Sequence, residues 1–245
     1  MREEKVIYEV GGVTFHGYMV YDPTQSGRRP TIIIGHAWRG QDEFAREKAR
    51  EIAKLGYVGF AADVFGEGKT ASTDEEAYKL ITPLFIDRKL LRERILGAYK
   101  AALTKEVVDP HRMGAMGFCF GGLTVIELMR TGFSLRGIVS FHGLLGDALG
   151  DLKAVTEPRA KQVLGGSILL LHGYEDPMVS QQDITHIQKE LTDAKVDWQM
   201  NIYGQTTHAF TNPQAHEPAK GMAYNPKTAA RAWVSARNFF EEVFK

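Results

Sequence analysis

The chain is poor in cysteine, lacks an excess of either charge and has no long apolar run. A single cysteine in 245 residues, Cys119, excludes an internal disulfide and suits a reducing compartment. Lysine and arginine total 30, as do aspartate and glutamate, so no net field favours nucleic acid or an anionic membrane as partner. No apolar stretch approaches the roughly 20 residues of a membrane-spanning helix. Met1-Arg2-Glu3-Glu4-Lys5 is charged and leads straight into an alternating segment, which leaves no place for the apolar part of a signal peptide. A cytoplasmic location is the expectation. His-x-x-x-His and Cys-x-x-Cys spacings are absent and the eight histidines are scattered, so no metal is expected. Gly11-Gly12 and Gly165-Gly166 lack the spacing of phosphate loops, and the second leads into a strand rather than a helix. Without repeats, low-complexity tracts or a Pro/Ser-rich linker, residues 1–245 read as one domain.

What is there is organised around Gly117-Phe118-Cys119-Phe120-Gly121-Gly122. Upstream, Arg112 to Met116 is a short apolar run bounded by Asp109-Pro110 and reads as a buried strand. Downstream, Leu123 to Arg130 reads as a helix closed by Gly132. The cysteine therefore occupies a strand-to-helix turn framed by small residues. A side chain on so sharp a turn needs neighbours without bulk, because strand and helix nearly touch there. The turn pushes the sulfur out of the sheet edge, and the helix directs unpaired N–H groups and its positive end at it, which favours thiolate. Alone, a cysteine among apolar residues reads as a small buried hydrophobe. Within this glycine frame it reads as a nucleophile elbow with cysteine in place of serine.

Lys5–Val10 and Val13–Val20 alternate across Gly11-Gly12, the pattern of a hairpin. Thr31–Gly35 and Tyr57–Ala62 are apolar enough for central strands; Leu135–Phe141, Ser167–Leu171 and Asp197–Tyr203 are further strands. Glu43–Leu55, Gln181–Ala194 and Pro226–Lys245 have helical spacing. Thr73–Leu103 reads as two helices divided near Pro83–Asp87, with Ser72 or Thr73 as N-cap. Gly143–Gly166 fits either a short helix or a mobile flap. This alternation implies an α/β fold: a mostly parallel sheet with helices on both faces and an N-terminal β-hairpin. Such sheets bind ligands at the carboxyl ends of their strands.

A cysteine nucleophile needs a base. His16 lies in the hairpin, His111 before a strand and His186 within a helix, all poorly placed for that role. His208 follows the Asp197–Tyr203 strand, on the active edge; read alone it is a surface histidine. His36 and His172 also end strands, where each serves equally well as a cap or packing group. Asp176 comes from the preceding strand-end loop, and read alone it belongs to an Asp-Pro turn. One helix and one strand separate Asp176 from His208, and Cys-Asp-His is the chain order of α/β-hydrolases. The expected oxyanion donors are the backbone N–H groups of Phe120 and Trp38. Trp38, Phe118, His142, Tyr174 and Phe210 fit either an apolar pocket, with His142, Tyr174 and Phe210 as substrate contacts, or aromatic core packing.

Taken together these residues resemble the dienelactone hydrolase family of the α/β-hydrolase fold, over nearly the whole chain. The resemblance is carried by Gly117-Phe118-Cys119-Phe120-Gly121-Gly122, His172-Gly173-Tyr174-Glu175-Asp176 and His208-Ala209-Phe210, with Asp63-Val64-Phe65-Gly66 in support. It implies Cys119 as nucleophile, His208 as base, Asp176 as orienting acid, and action on ester bonds of lactones and simple carboxylic esters without a cofactor. Three departures accompany it. Members acting on dienelactone carry a glutamate just after the third strand, where this chain has Ala37. They hold the substrate carboxylate with two arginines, where this chain has Thr211-Asn212-Pro213 and Asp74-Glu75-Glu76. Asparagine cannot replace a bidentate guanidinium, and acids repel an anion. A neutral or differently anchored ester is therefore the expected small-molecule substrate, and Cys119 is expected to pair directly with His208 at rest.

Two alternatives stay open at this point. One is a strict dienelactone hydrolase whose anion is held by another cation such as Arg39 or Lys69. The other is a catalytically idle scaffold that binds a ligand or senses redox state through Cys119.

Overall fold

Ile32, Ile33 and Ile34 are all fully buried, but alternate side chains of a strand point to opposite faces, so both faces must be covered. Ile33 packs into one core layer and its two neighbours into another. The computed structural model, which describes residues 1–150, 152–154 and 166–245, shows how. Eight strands form the main sheet: β1 (Arg2–Val10), β2 (Val13–Tyr21), β3 (Arg29–Gly35), β4 (Val58–Ala61), β5 (Val108–Phe118), β6 (Gly137–Phe141), β7 (Ser167–Gly173) and β8 (Asp197–Tyr203). Their spatial order is β1-β2-β4-β3-β5-β6-β7-β8. β2 runs against both its neighbours, and the other neighbouring pairs are parallel. The expected N-terminal hairpin and mostly parallel sheet are present.

Helices α1 (Glu43–Lys54) and α6 (Pro226–Val243) cover one face. Helices α2 (Asp74–Ile86), α3 (Arg88–Leu103), α4 (Phe120–Met129) and α5 (Gln181–Asp193) cover the other. Helix α4 is buried along its whole length, which accounts for a mostly apolar sequence whose one charged residue, Glu127, is paired with Arg92 and Arg130. Thr73 caps α2 through a reciprocal capping box with Glu76. The break before α3 falls at Asp87, whose carboxylate caps Leu90, whereas Pro83 stays inside α2.

Among the boundaries that differ from the sequence reading, two bear on the site. β5 begins at Val108, ahead of Pro110, because its ladder with β3 slips between Arg29 and Thr31, and a proline is tolerated where pairing is interrupted. α4 begins at Phe120, so Gly121 and Gly122 lie inside the helix. In residues 143–166, read as either helix or flap, the described part carries a short hairpin, Ala148–Leu149 against Leu152–Lys153. Residues 151 and 155–165 lie outside the described residues. No described helix is long and apolar enough to cross a membrane.

Candidate active site

Cys119 stands between β5 and α4 at φ 56° and ψ −119°, a left-handed backbone conformation that costs about 1–3 kcal/mol for a non-glycine residue. Steric crowding explains its frame. A Cβ on Gly117 would stand 1.9 Å from the Gly121 carbonyl oxygen, and one on Gly121 would stand 2.0 Å from that of Gly35. Strands β3 and β5 thus approach the first turn of α4 more closely than any side chain allows. The Cys119 carbonyl accepts from Gly122 N at 2.9 Å and Leu144 N at 3.3 Å, and its N–H reaches Phe141 O at 3.1 Å. The side chain is half-buried, so the sulfur is not sealed in the core.

Asp176 follows β7 and His208 follows β8, side by side because those strands pair in parallel through Tyr203 and Gly173. His208 Nδ1 donates to Asp176 Oδ2 at 2.7 Å, and both side chains are fully buried. The other carboxylate oxygen accepts from Met178 N at 2.9 Å. The His208 backbone is pinned on both sides, N–H to Gly221 O at 2.9 Å and O from Ala223 N at 3.1 Å. Its Nε2 is buried without a geometrically regular hydrogen bond, and it faces the Cys119 sulfur. Burial alone would lower the basicity of this imidazole. The negative charge and hydrogen bonding of Cys119, together with the bond to Asp176, outweigh it and push His208 up to about 10.

The loop after β3 is built around His36. Since a carbonyl can only accept and an N–H only donate, His36 donates from Nδ1 to Ala37 O at 2.7 Å and accepts Val64 N–H on Nε2 at 3.4 Å. Burial holds it below the ordinary histidine value, which keeps Nε2 an acceptor. Gly40 N also reaches Ala37 O, at 3.3 Å. In a trans peptide the N–H points opposite to the C=O, so the Trp38 N–H is turned away from His36. It has no hydrogen-bond partner among the described residues, and neither has the Phe120 N–H at the first position of α4. Val64 is itself held by the turn around Asp63, whose buried carboxylate accepts four backbone N–H groups, from His16, Phe65, Gly66 and Gly68.

The other sequence-predicted contacts are distributed differently. Tyr174 is 72% exposed, whereas His142 and Phe210 are buried behind His208 and offer no surface of their own to a substrate. The His142 ring lies 5.1 Å from that of His208 and 5.0 Å from that of Phe210, both edge-on. Its Nδ1 accepts the Cys119 N–H at 3.2 Å and its Nε2 reaches Thr211 Oγ1 at 2.7 Å. Neither His142–Cys119 nor His142–Thr211 was visible in the sequence. The one usable signal is that β5 and β6 are neighbours, which sets the residues ending them side by side. His172, next to Asp176, is lowered by burial, against the pull of the Asp176 charge. Two surface hollows of about 590 and 620 Å³ lie elsewhere and contain none of Cys119, Asp176 and His208. The candidate site is therefore picked out by its side chains and not by either hollow. No group of residues suited to a metal ion occurs among the described residues.

Comparison with known proteins places the chain in a family. The model of the dienelactone hydrolase family matches residues 15–244. A putative carboxymethylenebutenolidase from Aquifex aeolicus is 28% identical, covering 99% of each chain. The solved structure of m3DLH is 36% identical with a TM-score of 0.90, covering 100% of this chain and 99% of the other. A dienelactone hydrolase-like promiscuous phosphotriesterase, P91, from metagenomic libraries is 33% identical with a TM-score of 0.91 and the same coverage.

Proposed function

Because this chain belongs to the dienelactone hydrolase family, and is therefore a hydrolase of ester bonds on the α/β-hydrolase fold, we propose that it is a cysteine esterase or lactonase using Cys119, His208 and Asp176. The observation that carries the reading is the buried chain in which Asp176 Oδ2 accepts the Nδ1–H hydrogen bond at 2.7 Å while Nε2 faces the sulfur. The raised basicity of His208 suits it to take the thiol proton. The thiolate attacks the ester carbonyl carbon, and the carbonyl electron pair moves onto oxygen between the Phe120 and Trp38 N–H groups. Each such donor is worth about 3 kcal/mol. Collapse breaks the bond to the alkoxide, which takes the Nε2 proton and leaves as the alcohol. Water then adds to the thioester as His208 removes its proton, and a second collapse returns thiolate and releases the acid. Asp176 holds the imidazole tautomer throughout. General acid–base transfer of this kind contributes about 10²–10⁴-fold. No cofactor enters any step; the single cysteine favours a cytoplasmic setting, and the lack of repeats, low-complexity tracts and a Pro/Ser-rich linker favours one domain over residues 1–245.

The preferred substrate is a neutral ester. Arg39, the nearest alternative anchor in the chain to Trp38, donates to Ser72 O and Asp74 Oδ1, both at 2.8 Å, and Lys69 pairs with Glu67 at 2.6 Å. Asp74 also stands 3.7 Å from Lys220, so these cations are already matched by acids. The test is a panel of p-nitrophenyl esters of varied acyl length beside a carboxylate-bearing lactone. A neutral phosphotriester joins the panel because P91 is described as a phosphotriesterase. We expect turnover of neutral esters that Cys119→Ala abolishes without loss of fold. Full residual activity in that variant refutes the nucleophile, and a preference for the anionic lactone refutes the substrate class.

A further inference from the structure

β5 and β6 end at paired residues, Phe118 against Phe141, and the next residue on each, Cys119 and His142, turns away with positive φ, 56° and 37°. Two neighbouring strands thus leave the sheet through strained residues at one point. The Cys119 N–H is shared between Phe141 O at 3.1 Å and His142 Nδ1 at 3.2 Å, and the second of these bonds joins the two residues. That bond fixes the tautomer, because a ring nitrogen that accepts an N–H carries no proton. The proton is on Nε2, aimed at Thr211 Oγ1 at 2.7 Å. Thr211 lies three residues beyond His208 on the same loop, and Phe210 between them is fully buried against the His142 ring.

We propose that His142 is a positioning residue: a neutral imidazole that ties the sulfur-bearing turn to the His208 loop through Cys119 N–H···Nδ1 and Nε2–H···Oγ1 of Thr211. This rests on the reading of Cys119 and His208 as reacting partners. The sulfur and Nε2 come from loops separated by β6 and β7 in the sheet, and Asp176 orients His208 only from the side of β7. His142 supplies the missing link from the side of the nucleophile. Only the neutral ring fits, since a doubly protonated one would set an N–H against the Cys119 N–H. Burial and the neighbouring His208 and His172 all keep it neutral.

Four variants test this: His142→Phe, which keeps bulk and removes both bonds; His142→Asn, which keeps an acceptor at the Nδ1 position; Thr211→Val, which removes only the far acceptor; and Thr211→Ser, which keeps it. A misplacement of about 1 Å costs about 10²-fold. We expect His142→Phe to lose about 10²-fold and Thr211→Val about 10-fold in kcat with KM nearly unchanged. His142→Asn should recover part of the loss and Thr211→Ser nearly all of it. Long-range ¹⁵N–¹H spectra should show His142 as the Nε2–H tautomer in the parent and also in Thr211→Val, because the Cys119 N–H still points at Nδ1 there; an Nδ1–H tautomer in the parent overturns the proposal. Thr211→Val with parental kcat, or loss of rate equal in Thr211→Val and Thr211→Ser, overturns the proposal even if His142→Phe fails to fold. Iodoacetamide labelling of Cys119 reads the same geometry without substrate: it should slow in Thr211→Val, and an unchanged rate overturns the proposal. If the parent shows no Cys119-dependent turnover, the reading of the reaction falls instead, and the labelling rates still decide the role of His142.

Discussion

Replacing Asp176 by asparagine is nearly isosteric, yet the surroundings dictate how the amide sits. Met178 N–H donates to Oδ1 at 2.9 Å, so the amide oxygen must take that side and the NH₂ must face His208 Nδ1. An N–H opposite Nδ1 forces that nitrogen to accept, which moves the ring proton to Nε2, directly at the sulfur. The imidazole can then neither receive the thiol proton nor stay charged. Both supports that Asp176 gives His208, the hydrogen bond and the charge, are lost together. The corresponding change in serine triads costs about 10⁴ in kcat, or about 5.5 kcal/mol. We expect a loss of that order for p-nitrophenyl butyrate at neutral pH, with KM little changed. The Met178 bond survives, so the melting temperature should move by only a few degrees. A variant within tenfold of the parent would refute the assignment of Asp176 as the group that sets the His208 tautomer.

Three further outcomes follow from the same geometry. Gly121→Ala would set a methyl 2.0 Å from the Gly35 oxygen and 2.7 Å from that of His36, so it should destabilise by about 3 kcal/mol in denaturant titration; a neutral effect contradicts the close approach. Asp63→Asn turns an NH₂ toward two backbone N–H donors and should cost about 3 kcal/mol, measured the same way. His208 rises from 6.5 in the unfolded chain to about 10 in the folded one, so its contribution is fully present below about pH 6.5 and is lost as pH rises through about 10. Urea midpoints should therefore fall on the alkaline side in the parent, and His208→Ala should flatten that fall.

The parts of this molecule that short spacings encode were legible from residues alone. Gly117, Gly121 and Gly122 announce a strand and helix too close for side chains, and Thr73 with Glu76 announces a capped helix start. Asp176 and His208 could be paired because each follows a strand and one crossover separates them. His142 could not be read this way. Its partners, Cys119 and Thr211, lie 23 and 69 residues away, and an aromatic position after a strand looks the same whether it faces substrate or core. The start of β5 is hidden for a related reason: Pro110 forbids a regular ladder, but a register slip against β3, set by tertiary pairing, accommodates it. From spacing alone His36 reads equally as a cap or a packing group. Its effect on the Trp38 N–H passes through one carbonyl whose orientation no spacing encodes.

The claim on which the account rests is that the acyl group passes through Cys119 sulfur under the control of His208. Rapid quenching of the enzyme with a slowly hydrolysed p-nitrophenyl ester, followed by intact-mass and peptide mass spectrometry, measures it directly. The account predicts an acyl adduct confined to the peptide containing Cys119, formed within one turnover and slowed at least about 10²-fold in His208→Ala. An adduct on any other residue, or turnover with no covalent intermediate while Cys119→Ala stays active, would contradict it.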